Sequence, residues 1–261
     1  METLSNKINL HLGDDAEVLI KGFIAPIEDM NPNFHEEWYA LANLRVAEPE
    51  KMYSTSVFRS FLPDKPVSVA DYWQIDEQGA LALLKQFQRN PNLDMHINAG
   101  DSQGLWACLH AYNDELANIM FRIHTAFALE DGWFTPSQLA GNLVIDRINK
   151  SVAFFQMCVP EGTLFDVNWK KQKDEPNYYY SAGGGVCPKF ELVTEKHDVS
   201  QETVFTTSIT REEAEYILIQ RFYKSMQINW VPFEEALEIS QTQQKPIHAI
   251  SVDGPLSDEA C

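Results

Sequence analysis

The sequence is poor in cysteine and in positive charge, and it has no long apolar run. Four cysteines, Cys108, Cys158, Cys187 and Cys261, are scattered over 261 residues. None falls in a C-x-x-C pair or at a zinc-ligand spacing. That argues against a disulfide framework and for a reducing compartment with mostly inert thiols. Lys and Arg number 20 against 38 Asp and Glu, a net charge of −18. Nucleic acid is therefore not expected as a partner, because phosphate binding wants clustered cations. An anionic membrane surface is disfavoured for the same reason. No stretch approaches 18 consecutive apolar residues, so no membrane insertion is expected. Residues 1–6 (METLSN) carry neither a basic region nor an apolar core, so no secretory signal is read. The expectation is a soluble, cytoplasmic protein.

Catalytic signatures are also scarce. No G-x-S-x-G or other hydrolase motif occurs. Gly183-Gly184-Gly185 is followed by neither Lys-Ser/Thr nor a G-x-G-x-x-G frame, so it reads as a loop rather than a phosphate cradle. Tyr178-Tyr179-Tyr180 beside it reads as loop-anchoring aromatics. What remains is an ordinary globular composition, 44% hydrophobic and 22% charged, with enough chain for a sizeable core.

The hydrophobic pattern changes period along the chain. Residues 8–12 read as a short edge element, and 21–30 as a loop or short strand. Residues 34–46 read as helical, with Phe34, Trp38, Leu41 and Leu44 near one face. A second helical stretch is expected from Ser68, interrupted near Asp76. Residues 79–90 give a clear helix with Leu81, Leu84 and Phe87 at helical spacing, ended by Asn90-Pro91. From Leu93 the period is two. Residues 105–112, 115–129, 138–147 and 151–159 read as successive antiparallel strands joined by short turns at Asn113-Asp114 and Ile148-Asn149. In 115–129, Ile119, Phe121, Ile123, Thr125 and Phe127 take one face; Asn118, Met120, Arg122 and His124 take the other. Residues 164–170 and 187–193 are further strand candidates, separated by a polar Tyr/Gly-rich loop over 171–185. Thr210-Arg211-Glu212-Glu213 is a capping box opening a helix to about Met226. The fold class expected is α+β: a mostly antiparallel sheet with flanking helices.

Two ligand constellations were weighed. His96, His110 and His124 lie on neighbouring expected strands near Asp94, but not at the spacing of a known metal-ligand set. Hydrogen-bonded sheet histidines are the better reading. Asp29, Asn31 and Asn33 match the first positions of a calcium loop. Phe34 stands where glycine is required and Ala40 where glutamate is required. Turn chemistry explains this stretch better, and no calcium or other metal is expected to bind here.

The most informative stretch is 228–261. Pro232 stands where a helix opens, and Glu234 and Glu235 suit its positive end. Phe233, Ala236, Leu237 and Ser240 mark one face. Residues 247–252 read as a short buried strand containing His248, Asp253-Gly254-Pro255 turns the chain, and Cys261 follows. Helix, strand, loop, cysteine is the opening order of a thioredoxin-like domain, in which the thiol at the next helix N-terminus is acidified. Taken alone, Cys261 reads rather as an incidental, flexible terminal thiol.

The run FEEAL…KPIHAISVDGPLSDEAC resembles the redox-motif region of the selenoprotein N family. There a KPVHSILLWGALDDQSC-type segment leads into selenocysteine and then glycine. Lys245, His248, Gly254, Leu256, Asp258 and Cys261 stand at matching places. Met120-Phe121-Arg122-Ile123-His124-Thr125 is similar to the family's MFRIH segment. Trp133-Phe134, Pro136, Gln138 and Gly141 resemble the FWFSPAQFTGH stretch after it, and Phe155 with Val159-Pro160 resembles RLFVPN. Weaker likeness reaches back to about Lys21. The resemblance implies a body over 1–226 and the start of a thioredoxin-like redox segment over 227–261. It implies selenocysteine after Cys261, and Cys261 as the catalytic residue of a thiol or selenol disulfide oxidoreductase acting on protein disulfides or thiols. The family's membrane anchor and calcium-binding EF-hand are not expected to carry over. The competing expectation is a non-catalytic redox-sensing or partner-binding module built on the β-meander.

Overall fold

The computed structural model describes residues 7–14, 16–28, 39, 43–93, 104–129, 132–135, 138–160, 164–170, 179–195, 197–222 and 228–249. In chain order the elements are β1 (Glu17–Ile24), β2 (Glu50–Ser54), α1 (Thr55–Arg59), β3 (Tyr72–Gln74), α2 (Glu77–Phe87), β4 (Pro91–Asn92), β5 (Leu105–Tyr112), β6 (Leu116–Ile123), β7 (Ala126–Ala128), β8 (Gly132–Thr135), β9 (Leu139–Asp146), β10 (Ser151–Cys158), β11 (Leu164–Lys170), β12 (Tyr179–Val186), β13 (Phe190–Thr194), β14 (Thr207–Ser208), α3 (Arg211–Phe222) and α4 (Phe233–Gln243).

Among the described residues, β14, β5, β6, β9, β10, β13, β1 and β2 form the larger sheet in that order, with β3 also on β5; a smaller sheet runs β12, β11, β8, β7, β4. Every strand pairing described is antiparallel. The class is α+β, as the alternating pattern implied.

Both sheets and helices α1 and α2 close on one core. The inward face of β6 supplies Ile119, Phe121 and Ile123, and β10 supplies Phe155 and Met157. Phe155 meets Phe58, Phe61 and Phe121 at ring-centroid distances of 5.2, 5.8 and 5.6 Å. A second aromatic group reaches into the smaller sheet: Phe87 lies 4.3 Å from Phe190, and Phe127 lies 5.2 Å from Phe134. Each fully buried Phe contributes ~1.5–3 kcal/mol by leaving water. Helix α2 presents Ala80, Leu83, Leu84 and Phe87 to this core; Leu84 and Phe87 are as expected, while Leu81 is only partly buried. Asp76 caps it, accepting from the Gln78 N–H at 2.9 Å.

Several expectations need correction. The single strand expected over 115–129 breaks after Ile123 and resumes at Ala126, so β6 belongs to the larger sheet and β7 to the smaller. The Thr125 hydroxyl donates to the Asn92 carbonyl at 3.2 Å, fixing the corner. The helix expected from Ser68 is instead a turn into β3. Asp71 accepts from the Ser68 N–H at 2.9 Å, and Ala70 sits at φ 72°, outside helical space. The loop expected over 171–185 holds β12, whose backbone pairs with β11 despite three glycines; residues 171–178 lie outside the described set. The expected helix over 34–46 lies mostly outside it too, and residues 43–46 are not helical. Strand β1 starts earlier than the element expected at 21–30.

Candidate functional site

The polar face of the expected meander is buried rather than solvated. Met120 of β6 packs with Cys108 of β5 against Ala214 and Leu218 of α3. Asn118, Arg122 and His124 are buried in the same region of the sheet. Helix α3 is placed by its capping box: the Glu213 carboxylate accepts from the Thr210 N–H at 2.8 Å, and the Thr210 hydroxyl accepts from the Glu213 N–H at 3.1 Å. His110 sits in a β-bulge, where Leu109 pairs with Ile119 but Ala111 pairs with Asn118. Burial, then the charge of Arg211, lowers its pKa from the ordinary histidine value.

Of the histidine constellation, His110 and His124 fall among the described residues. His96 and Asp94 lie outside the described residues, as does the Asp29–Asn33 turn. Among the described residues no group of three or more His, Cys, Asp or Glu side chains is placed to hold a metal ion. No described helix is long and apolar enough to cross a membrane.

The described thiols are all insulated. Cys108 is fully buried, and burial with the nearby Asp71 charge pushes its pKa up to about 12. Cys158 pairs across from Glu191, and burial followed by that carboxylate raises it too. The Cys187 thiol donates to the carbonyls of Ala25 and Lys189, each at 3.3 Å. Burial raises its pKa, and an S–H engaged with two carbonyl oxygens is held in the protonated form. None of the three is a ready nucleophile. Cys261 lies outside the described residues.

The approach to Cys261 is described as far as residue 249. Helix α4 starts after Pro232 with Glu234 and Glu235 in its first turn, as read from the sequence. It ends in a left-handed residue, Gln244 (φ 53°), whose N–H returns to the Ser240 carbonyl. No residue of α4 is buried; Phe233 is 59% exposed and Leu237 40%. Residues 247–249 form no strand, and His248 is exposed rather than held in a core. A strand needs a partner ladder, and among the described residues none lies beside this segment.

The blocks upstream that carry the likeness fall on both sheets, Trp133-Phe134 on β8 of the smaller one and the others on β6, β9 and β10 of the larger. Met120-Phe121-Arg122-Ile123 is the C-terminal half of β6. Gly141 lies on β9, opposite Phe121 on one side and Met157 on the other. A Cβ there would run into the Gln156 carbonyl oxygen and come within 2.6 Å of the Phe121 ring. The chain is 28% identical to selenoprotein N of Danio rerio over 212 residues, 69% of this chain. It is 25% identical to selenoprotein N of Homo sapiens over an alignment of 281 residues, 85% of this chain.

The chain is related to selenoprotein N. It spans 37% of the fish selenoprotein N and 47% of the human one, half the length or less of these relatives. No protein-family model and no solved structure matches it. The selenoprotein N likeness gives the MFRIH-type block a physical reading. Alternate residues fill the aromatic core, and the others are buried towards α3. The burial of both faces was not legible in the strand's alternation, because period two reports which residues share a face and not what covers it.

Proposed function

We propose that this chain is the body and redox-motif segment of a selenoprotein N-like disulfide oxidoreductase, with Cys261 and a following selenocysteine as the reacting pair. The supporting observation is the isolation of the other thiols: Cys108, Cys158 and Cys187 all have raised pKa values, which leaves Cys261 as the cysteine suited to exchange. The likeness of Lys245 to Cys261 to a segment that leads into selenocysteine supports the second group.

The substrate class is a protein disulfide. The selenolate, ionised at neutral pH, attacks one substrate sulfur. A Se–S bond forms, the S–S bond breaks, and the departing substrate thiolate takes a proton. The Cys261 thiolate then attacks selenium, and the second substrate sulfur leaves as thiolate and is protonated. The substrate gains two electrons and the pair is left as a selenenylsulfide. An external dithiol returns it to the reduced state. Run in reverse, the same steps oxidise a dithiol.

The 261-residue chain is expected to reduce disulfides poorly, with a Cys261 thiol titrating near ~8.5. A longer protein with selenocysteine, or cysteine in its place, directly after Cys261 is expected to turn over a model protein disulfide. Cys261→Ser in that protein should abolish turnover and leave the circular dichroism unchanged. Full activity in that variant, or no activity in the parent, overturns the reading in favour of the non-catalytic module.

A further inference from the structure

A cleft of about 510 Å³ opens where three segments meet: 43–47, 88–90 and 128–129. Its charged lining is Arg45 and Arg89, with no carboxylate among its described lining residues. In a chain with 38 acidic and 20 basic residues, such a lining is against the average. Both arginines are exposed, and neither takes part in an ion pair among the described residues. Two cations on one concave surface repel each other unless an anion joins them, and among the described residues no carboxylate does.

Backbone and side-chain bonds fix the walls, while among the described residues neither guanidinium group is engaged. The Gln88 side-chain amide donates to the Arg45 carbonyl at 2.6 Å. The Ala47 N–H donates to Phe87 at 2.9 Å, and the Glu48 N–H to Gln86 at 3.1 Å. The Ala128 N–H donates to Asn90 at 3.1 Å. Two of these bonds occupy the Gln86 and Phe87 carbonyls at the C-terminal end of α2 and so reduce their opposition to an anion. The nearby Glu48 carboxylate is held by Lys51 at 2.6 Å. Leu44 and Leu129 supply an apolar side. The volume falls in the range of small-molecule sites, ~300–1,000 Å³.

We infer that this cleft binds a small phosphorylated molecule, with Arg45 and Arg89 converging on the phosphate and the apolar side receiving the rest. Phosphate is favoured over a single carboxylate because two forked guanidiniums match a dianion with three free oxygens. The site is independent of the cysteine chemistry and needs no residue of the redox segment.

The test is calorimetric titration of the 261-residue protein with inorganic pyrophosphate at low salt. One-site binding is expected. Arg45→Gln and Arg89→Gln should each weaken it by about tenfold or more, the loss of one charge-assisted contact. Arg89→Lys should weaken it less, and Lys65→Gln, outside the cleft, should leave it unchanged. Both arginines are exposed and form no ion pair among the described residues, so these variants should keep the parent's circular dichroism. Absence of binding, equal binding in the Arg45→Gln/Arg89→Gln double variant, or citrate binding as tightly as pyrophosphate each overturns the assignment.

Discussion

Phe155 and Phe233 are the same side chain in two situations. Phe155 is fully buried among three other phenylalanine rings. Phe233 opens an 11-residue helix and is 59% exposed. Helix α4 carries two of the local helix signals, acidic residues in its first turn and a left-handed stop. Yet none of its residues is buried, and isolated helices of this length are marginal in water. Local signals write a helix; burial is what makes an element part of a stable body. The contrast between the sheet body and the segment from Ile228 onwards is therefore one of energy rather than of regularity.

The sharpest break of that contrast is chemical. With the Cys108 thiol pushed up to about 12, its thiolate fraction at neutral pH is roughly a thousandfold below that of an ordinary cysteine near ~8.5. Alkylation of native protein should modify Cys261 first, with Cys108 reacting only after denaturation. Equal rates at the four cysteines would erase the distinction between body and segment.

Next in size are packing substitutions. Phe155→Ala should cost ~3–5 kcal/mol. Gly141→Ala should destabilise comparably, because the added methyl meets backbone at Gln156 that cannot yield. Phe233→Ala should stay within ~0.5 kcal/mol. Urea midpoints of the three variants give the comparison directly, and a large cost for Phe233→Ala would mean that the segment is docked.

A smaller effect separates His110 from His248. Burial and Arg211 depress the His110 pKa in the folded state. The folded protein then binds fewer protons than the unfolded chain below the ordinary value of ~6.5. Stability from keeping His110 neutral is present above that pH and is lost as the pH falls from it towards the folded pKa. His110→Asn should flatten the decline in thermal midpoint between neutral and mildly acidic pH, while His248→Asn, at an exposed position, should leave it unchanged.

The smallest expected effect is none. Removing residues 228–261 should leave the stability of the body within ~0.5 kcal/mol of the parent. A substantial loss in the urea midpoint would show that the body and segment share one core.

Much of this was readable residue by residue. The strands at 105–112, 139–146 and 151–158 follow from period-two apolar runs, and α3 from the Thr210/Glu213 box. The corner at His124-Thr125 was not readable, because alternation continues unbroken from Ile119 to Phe127 across two sheets. Strand β12 was missed because Tyr-Ser-Ala-Gly-Gly-Gly carries turn composition, and its pairing with β11 overrides that propensity. The candidate nucleophile was legible only by likeness; the inertness of Cys108 and Cys158 was legible from their strand positions.

The two residues between β6 and β7 have a mechanical consequence. With so little slack, the end of one sheet is tethered to the start of the other, and Phe127 follows Phe121 into the same core. Neither sheet can peel away without dragging the seam. The corner thus makes the body a single cooperative unit, in which an opening fluctuation spreads across both sheets or closes again.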